Sequence, residues 1–218
     1  MFPSKVCKIC NSTTAHIREI KKKLDYYRCS SCGFIYLDDS YIVDKEIEKE
    51  HYDKHKNSFE SLGYVEMFEK FIDKSIAPYL ENIKSALEFG CGSGPVLAEL
   101  LRRKGLEVDQ YDLYYFPKKV YESKSYDLIT STEVFEHLQD PITVLETLVS
   151  SLNTNGYIVL MTKFPPSEDK AFLDWWYRRD ITHISFFTPK SFEIMANRVG
   201  LKVIKIIELN IVVFQKIC

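Results

Sequence analysis

The chain lacks any apolar run approaching the roughly eighteen residues that a bilayer-spanning helix needs, so no helical membrane span is expected in its 218 residues. It also lacks a surplus of one charge: 29 Lys and Arg face 31 Asp and Glu, for a formal net charge of -2. Without a global basic field, any affinity for nucleic acid has to come from a local patch. The opening residues Met1-Phe2-Pro3-Ser4-Lys5 have no apolar h-region, so no secretory signal is expected and the expected address is the cytoplasm. No internal repeat or low-complexity tract interrupts the chain, which sets aside solenoids and disordered linkers. What is present, 45% hydrophobic and 28% charged residues, is ordinary for one globular domain with room for a small appendage.

Four of the six cysteines fall into two pairs, Cys7-x-x-Cys10 and Cys29-x-x-Cys32, separated by eighteen residues. This is the spacing of a structural zinc site, in which two tight turns bring four soft thiolates to a tetrahedral ion. Asn11 and Gly33 directly follow the pairs, where such turns often need a left-handed residue. Residues 13–28 read as a hairpin with the basic tip Lys21-Lys22-Lys23. Four reduced cysteines in a loop, or a redox pair, are the alternatives, and in a cytosolic protein the double spacing favours zinc. A stretch of about 35 residues has little core of its own, so the metal is expected to be its main source of stability. Cys91 and Cys218 stand outside the set, and Cys91 reads as a small filler in a turn.

Residues 1–40 therefore read as a ribbon, 41–82 as a charged helical linker or lid, and 83–218 as alternating strands and helices. Met67, Phe68, Phe71, Ile72 and Ile76 recur at helical spacing. Strands are expected at 85–89, 107–113, 126–131 and 156–162, with helices at 96–104 and 142–152. Asp140-Pro141 and Thr188-Pro189 each pair an N-cap with a proline at the first turn, and Gly200 supplies a stop after 190–199. The runs 201–209 and 210–217 read as a closing β-hairpin. The expected fold class is α/β: a Rossmann-like, doubly wound, mainly parallel sheet with an antiparallel C-terminal hairpin, plus the N-terminal ribbon.

The run Glu88-Phe89-Gly90-Cys91-Gly92-Ser93-Gly94 ends the first of these strands in an acid and a turn with glycine at every second position. A strand, a glycine turn and a helix N-terminus form the nucleotide-binding edge of a doubly wound sheet. Pro95, read as the first helical residue, stands where the dinucleotide fingerprint has its third glycine, which favours a nucleoside ligand without a pyrophosphate. S-adenosylmethionine is the common ligand of that kind. A ribose diol needs a carboxylate from the next strand, and Asp112, twenty residues past Gly92, fits best, with Asp109 as the fallback.

Together the glycine turn, Asp112, YDLITSTEVFEHLQDP (126–141) and NTNGYIVLMT (153–162) resemble class I S-adenosylmethionine-dependent methyltransferases. The cysteine pairs, HYDKHKNSFESLGY (51–64) and WWYRRDITHISFFTP (175–189) narrow the resemblance to a bacterial group with an N-terminal zinc ribbon. The resemblance implies that Glu88, Phe89, Gly90, Cys91 and Gly92 line the methionine end of the cofactor, and that Asp112 takes the ribose hydroxyls. It also implies Leu113 near the adenine, and Thr132 and Glu133 beneath the cofactor. The stretch 113–125 departs from the pattern, being too short for the helix, third strand and adenine-contacting acid of many relatives.

Acid–base candidates are Glu133-x-x-Glu136-His137, read as one helical face, and Asp180-x-x-His183 after Phe172, Trp175, Trp176 and Tyr177. His183, His137 and Asp180 are the expected catalytic residues, and His55 and Asn57 on the lid are either acceptor contacts or local helix-end contacts. If His183 folds back, two carboxylates and two imidazoles could hold a second, divalent metal. The same E-x-x-E-H arrangement resembles metal-dependent enzymes that methylate hydroxyls, including those acting on small-RNA ends. The alternative is a Glu and a His that only hold the loop together. Trp175 and Trp176 either wall a substrate pocket or pack in the core. No N/D-P-P-Y follows the strand 126–131 and no Pro-Cys pair occurs, which sets aside two chemistries and leaves O- or C-methylation. A small-molecule or carrier-linked acceptor leads. RNA, met by Lys21-Lys22-Lys23 and Arg178-Arg179, is the alternative, and a non-catalytic binding protein is the third reading.

Overall fold

In the computed structural model, which describes residues 5–54 and 58–217, the chain begins with the expected hairpin, β1 (Thr14–Glu19) and β2 (Leu24–Cys29), followed by β3 (Ile35–Leu37). Lys23 turns the hairpin with φ 55°, and Asn11 and Gly33 close the cysteine turns at φ 58° and 74°. The ribbon does not stand alone. One face packs Phe34 and Tyr36 into the core of the larger domain, and the other packs Tyr26 and Ile35 against Phe172, Tyr177 and Phe186. The core that the ribbon lacks by itself thus comes from residues more than a hundred positions away.

The helical segment is interrupted. Asp44 caps α1 (Lys45–Tyr52) by accepting from the N–H groups of Glu46 and Ile47. A second helix, α2 (Leu62–Ser75), buries Phe68, Phe71 and Ile72, and a 3-10 turn covers Ala77–Asn82. His55 and Asn57 lie outside the described residues.

The second sheet has β4 (Ser85–Phe89), β5 (Glu107–Tyr111), β6 (Tyr126–Thr132) and β7 (Leu152–Met161) in parallel, with α3 (Val96–Arg103) and α4 (Pro141–Ser150) among the connections. After α5 (Asp169–Asp174), the two-residue strand β8 (Ser185–Phe186) and α6 (Pro189–Arg198), the hairpin β9 (Leu201–Ile207) and β10 (Ile211–Lys216) closes the fold. The order β5-β4-β6-β7-β10-β9, with β10 antiparallel to both neighbours, is the expected doubly wound sheet. Strand alternation divides the core. Ala86, Leu128 and Val159 face α2 and α3, whereas Leu87, Ile129 and Ile158 face α4, α6 and the ribbon. No described helix is long and apolar enough to cross a membrane.

Several boundaries move. The helix expected at 142–152 stops at Ser150, and its following strand starts at Leu152 rather than 156, with a register shift absorbed opposite Tyr126 and Leu128. The strand expected at 107–113 ends at Tyr111, because Asp112 bridges to Phe116 in a tight loop. Among the described residues 113–125 hold only a 3-10 turn at Val120–Glu122, so β5 is left as a sheet edge.

Strand β8 joins β3 rather than the larger sheet. Thr188 then caps α6 in a full capping box with Ser191, and its hydroxyl also donates to the Cys32 carbonyl. Thr188→Ala removes both contacts, so its urea midpoint should fall by the equivalent of about 1–2 kcal/mol. An unchanged midpoint would show that this joint carries no stability.

Candidate active site

The glycine turn sits where β4 has neighbours on both sides, the switch point at which doubly wound sheets open a crevice. Gly90 and Gly92 take φ 80° and 64°. A Cβ on Gly90 would lie 2.2 Å from Val134 Cγ2, so no side chain fits there. The N–H groups of Gly90 and Cys91 both donate to the Tyr111 carbonyl, at 2.7 and 3.1 Å, which pins the turn to the end of β5. Pro95 does not begin the helix. With φ -77° and ψ 62° it forms an inverse γ-turn, Val96 N–H donating to Gly94 O at 2.8 Å, and α3 starts one residue later.

Glu88 is buried, and its Oε2 accepts from Ala98 N–H at 3.0 Å inside the first turn of α3. Burial pushes its carboxyl up to about 8. Cys91 is buried beside it, and burial likewise pushes its thiol up, as suits a filler. Asp112 Oδ2 accepts from Gly92 N–H at 2.9 Å, while Oδ1 accepts from Tyr114 and Tyr115 N–H at 2.9 and 3.1 Å. The fallback Asp109 is spent elsewhere, on Lys124 at 2.6 Å and the Tyr126 hydroxyl at 2.9 Å.

These groups form one wall of a cavity of about 1000 Å³. Phe89, Leu113, Thr132 and Glu133 also reach it, Leu113 as an exposed side chain. Helices α1 and α2 roof it with Glu48, Tyr52, Tyr64 and Met67. Glu48 takes the hydroxyls of Tyr52 and Tyr114, at 2.9 and 2.6 Å, and so ties the roof to the loop after β5. Sequence reading missed these roof residues. Aromatic and acidic positions on charged helices carry no spacing that separates a lining residue from a surface one.

The opposite wall is built on a 3-10 turn, Phe135–His137, and the segment after α5. Glu133 does not share a helical face with Glu136 and His137, as expected from spacing. It precedes the turn at φ 54°, its N–H held by Met161 O at 2.8 Å. The two acids meet instead at Tyr177, whose hydroxyl lies 2.9 Å from Glu133 Oε2 and also meets Glu136 Oε1. One phenol has one proton to donate. Burial pushes both carboxyls up, Glu133 to about 8 with the charge of Glu136 adding to it, while the hydrogen bond from Tyr177 pulls each back down. Glu136 is fully buried, and among the described residues its Oε2 has no hydrogen-bond partner.

His183 folds back onto this turn, its ring 4.7 Å from that of His137. His137 Nδ1 lies 3.0 Å from Thr182 O, and His183 Nδ1 lies 2.8 Å from Tyr177 O. A carbonyl only accepts, so Nδ1 carries the proton in both rings and each Nε2 keeps a lone pair. Burial, reinforced by His137, lowers His183 to about 4. Asp180 Oδ1 accepts from the N–H and hydroxyl of Thr182, and Oδ2 lies 3.0 Å from His51 Nε2 and 3.9 Å from His183 Nε2. Burial alone would raise this carboxyl, but those partners hold it below the usual range. Donor atoms of Glu136, His137 and His183 all lie within 4.8 Å of one another. Trp176 lines the cavity and is exposed, whereas Trp175 packs on Tyr177 and Phe186, so the two tryptophans divide the two roles weighed for them. Arg178 is buried against Glu19 at 2.8 Å, which corrects its assignment to a phosphate-binding surface.

The sulfurs of Cys7, Cys10, Cys29 and Cys32 also lie within 4.8 Å of one another, with the nearest pairs at 3.4–3.7 Å. A tetrahedral ion with Zn–S bonds of ~2.3 Å sets its ligand sulfurs ~3.8 Å apart, so the four thiols fit such an ion. Backbone N–H groups of Ile9, Ser31 and Cys32 point at Cys7 and Cys29 sulfurs, as they would toward thiolates.

A glycine turn at the switch point, an acid closing the next strand and a terminal antiparallel hairpin make this the Rossmann-like architecture of S-adenosylmethionine-dependent methyltransferases. A family profile described as a methyltransferase domain matches residues 64–206, and the chain belongs to that family. The ubiquinone biosynthesis O-methyltransferase of Yersinia enterocolitica (serotype O:8 / biotype 1B) is 28% identical, over 36% of this chain and 42% of its own length. The chain therefore spans less than half of that curated relative. An O-methyltransferase family protein from Burkholderia thailandensis superposes with a TM-score of 0.56 at 12% identity, covering 82% of this chain and 62% of the other. The magnesium protoporphyrin IX methyltransferase of Synechocystis PCC 6803, solved with bound S-adenosylmethionine, gives 0.51 at 12% identity, covering 81% and 94%. These two likenesses are likenesses of fold.

Glu88 makes stability depend on pH. Its folded pKa, about 8, lies above the ordinary value of 4.5, so the folded state binds more protons between those limits. Its contribution is fully present below pH 4.5 and is lost as pH rises through about 8. Glu88→Gln should flatten the fall in urea stability across that window and should raise stability most at its alkaline end. An equally steep fall in the variant would remove Glu88 as its source.

Proposed function

We propose that the protein transfers a methyl group from S-adenosylmethionine to a small-molecule or carrier-linked acceptor, at a hydroxyl oxygen or a carbon. The observation that carries this reading is one cavity with the glycine turn and Asp112 on one wall and Tyr177, Asp180, His137 and His183 on the other. When bound, S-adenosylmethionine supplies a methyl group made electrophilic by its sulfonium. Glu88, Phe89, Gly90, Cys91 and Gly92 would hold its methionine end, Asp112 its ribose hydroxyls and Leu113 its adenine, with Thr132 and Glu133 beneath. The fit rests on the left-handed glycines, which leave the turn bare of side chains, and on Asp112 Oδ2, which has acceptor capacity beyond its one N–H partner. The O-methyltransferase names carried by relatives support a hydroxyl acceptor.

The chain's own residues orient the acceptor and take its proton. His183 is neutral at pH 7, with its lone pair on Nε2, and is the general base. Asp180, held ionised, faces the imidazolium that results. His137 Nε2 supplies a second acceptor in the same pocket. The four ribbon cysteines would hold a structural zinc, and their free thiols fit a reducing compartment such as the cytoplasm.

One observation favours a metal-assisted variant of this reading. Glu136 Oε2 is buried without a hydrogen-bond partner among the described residues, and together with the donor atoms of His137 and His183 a carboxylate oxygen of Glu136 fits a divalent cation. Such an ion would lower the pKa of an acceptor hydroxyl, with both imidazoles as ligands rather than bases. RNA remains the alternative acceptor, but with Arg178 buried only the exposed Lys21-Lys22-Lys23 tip and Arg179 are left to meet phosphate. A non-catalytic role fits poorly with the cavity and its family membership.

Transfer from radiolabelled S-adenosylmethionine to lysate fractions, with and without RNase, tests the reading. Label should appear in RNase-resistant small molecules, and Asp112→Ala should weaken cofactor binding at least about tenfold by calorimetry. Label in RNase-sensitive material would select RNA, and unchanged affinity would remove Asp112 from the ribose site. Elemental analysis should find one zinc per chain, lost in the Cys7→Ser, Cys10→Ser variant. Activity that survives EDTA with that zinc retained would sink the metal-assisted variant.

A further inference from the structure

The wall carrying Tyr177, Asp180 and His183 gets its backbone partners from outside the six-stranded sheet. Strand β8, which ends this segment, pairs with β3 of the ribbon, Ile35 opposite Phe186 and Tyr36 opposite Ser185. The Ile184 peptide is held on both sides: its N–H donates to Glu136 O and its carbonyl accepts from Leu37 N–H, each at 2.8 Å. Arg178 adds a buried cation to this joint, beside the pair of Arg28 with the more exposed Asp169 at 2.8 Å. The Arg178 guanidinium donates to Glu19 Oε2 at the end of β1 (2.8 Å), to Tyr26 Oη (3.3 Å) and to the carbonyls of Phe172 and Leu173. Both side chains of the pair are nearly or largely buried, at 3% exposure for Arg178 and 13% for Glu19.

A buried arginine has few alternatives, since any rotamer that leaves Glu19 strands an uncompensated charge. The backbone beside it is therefore held in one place. Tyr177, its neighbour, sends its hydroxyl between Glu133 and Glu136 and its carbonyl to His183 Nδ1, and Asp180 follows two residues on. The glycine turn and Asp112 of the donor wall are not bonded to this joint, whereas Glu133 meets it through the Tyr177 hydroxyl. Among the described residues, hydrogen bonds of Gly90, Gly92 and Asp112 run to Cys91, Tyr111, Tyr114, Tyr115, Phe116 or one another, and none reaches the ribbon.

We propose that Arg178 is a positioning residue, and that through its pair with Glu19 the ribbon serves as the rear wall of the acceptor site, setting Tyr177, Asp180 and His183 opposite the donor wall. This rests on the methyltransferase reading above and assigns the ribbon a part in it. The ribbon then acts on acceptor geometry and leaves cofactor affinity alone. Displacing reacting groups by about 1 Å can cost a hundredfold in rate, so a small shift of this wall is enough to matter.

The chain offers its own probe, because its two tryptophans, Trp175 and Trp176, both lie in this segment. Glu19→Gln, Arg178→Lys and Arg178→Met in the full chain should each raise acrylamide quenching of tryptophan emission, most for Met and least for Lys. Cofactor affinity by calorimetry should stay within about twofold. With the acceptor in hand, the KM for acceptor should rise about tenfold in Glu19→Gln while the KM for cofactor holds. If Arg178→Met does not fold, Glu19→Gln decides, since it removes the charge and keeps the shape. Quenching unchanged in the folded variants, or cofactor affinity falling in step with it, overturns the proposal. Wild-type protein that binds no S-adenosylmethionine would instead defeat the methyltransferase reading, with quenching still reporting on the joint.

Discussion

A peptide group buried between two layers has to find a hydrogen-bond partner on each side, and the strand at 184–186 meets that demand from two directions at once. The turn bearing Glu136 supplies the acceptor, and the ribbon supplies the donor. Ser185 adds a third tie, its hydroxyl donating to Leu138 O at 2.7 Å. Because those bonds join the ribbon, the 135–138 turn and the approach to α6, these three parts cannot drift separately. The ribbon's own core closes by the same logic, with Phe34 packed toward Phe187, and Tyr26 set edge-on to Phe172.

Electrostatics at the cavity's heart follow from low dielectric and few donors. Three buried acids line or back it, and for Glu88, Glu133 and Glu136 burial is the largest influence and acts against ionisation. Asp180 escapes that fate through its partners. Asp180 gathers Thr182, His51 and His183, and Asp112 gathers three backbone N–H groups. The cavity thus sets acids and imidazoles shifted toward their neutral forms beside one carboxylate shifted toward its ionised form, an arrangement suited to receiving a proton and holding the charge it brings.

Much of the fold is legible in the amino-acid pattern. Periodicity of two and of 3.6, with Asp140-Pro141 and Thr188-Pro189 as start signals, locates nearly every helix and strand of the sheet. The errors fall where local pattern competes with pairing. Leu152 extends β7 past a non-glycine residue, Asn155, at φ 62°, which propensity reads as a break. Asp112 leaves its strand because its side chain caps the loop that follows. In the site, the glycine turn and the cysteine pairs are legible because both place chemistry at fixed short spacing. Glu133 defeats a reading by helical spacing because it stands in a left-handed bend, its N–H tied to Met161 O at the end of β7.

Spacing alone therefore determined the local chemistry: a bare turn, a strand-end acid and four thiols in two knuckles. Only the tertiary structure decided which distant groups meet. It brought His183 to His137 across 46 residues, placed Tyr177 between two acids, and paired Arg178 with Glu19 across 159. The physical reason is that hydrogen-bond and charge satisfaction in a buried layer is a property of the packed whole. A short window of sequence records which groups will need partners, and packing alone chooses them.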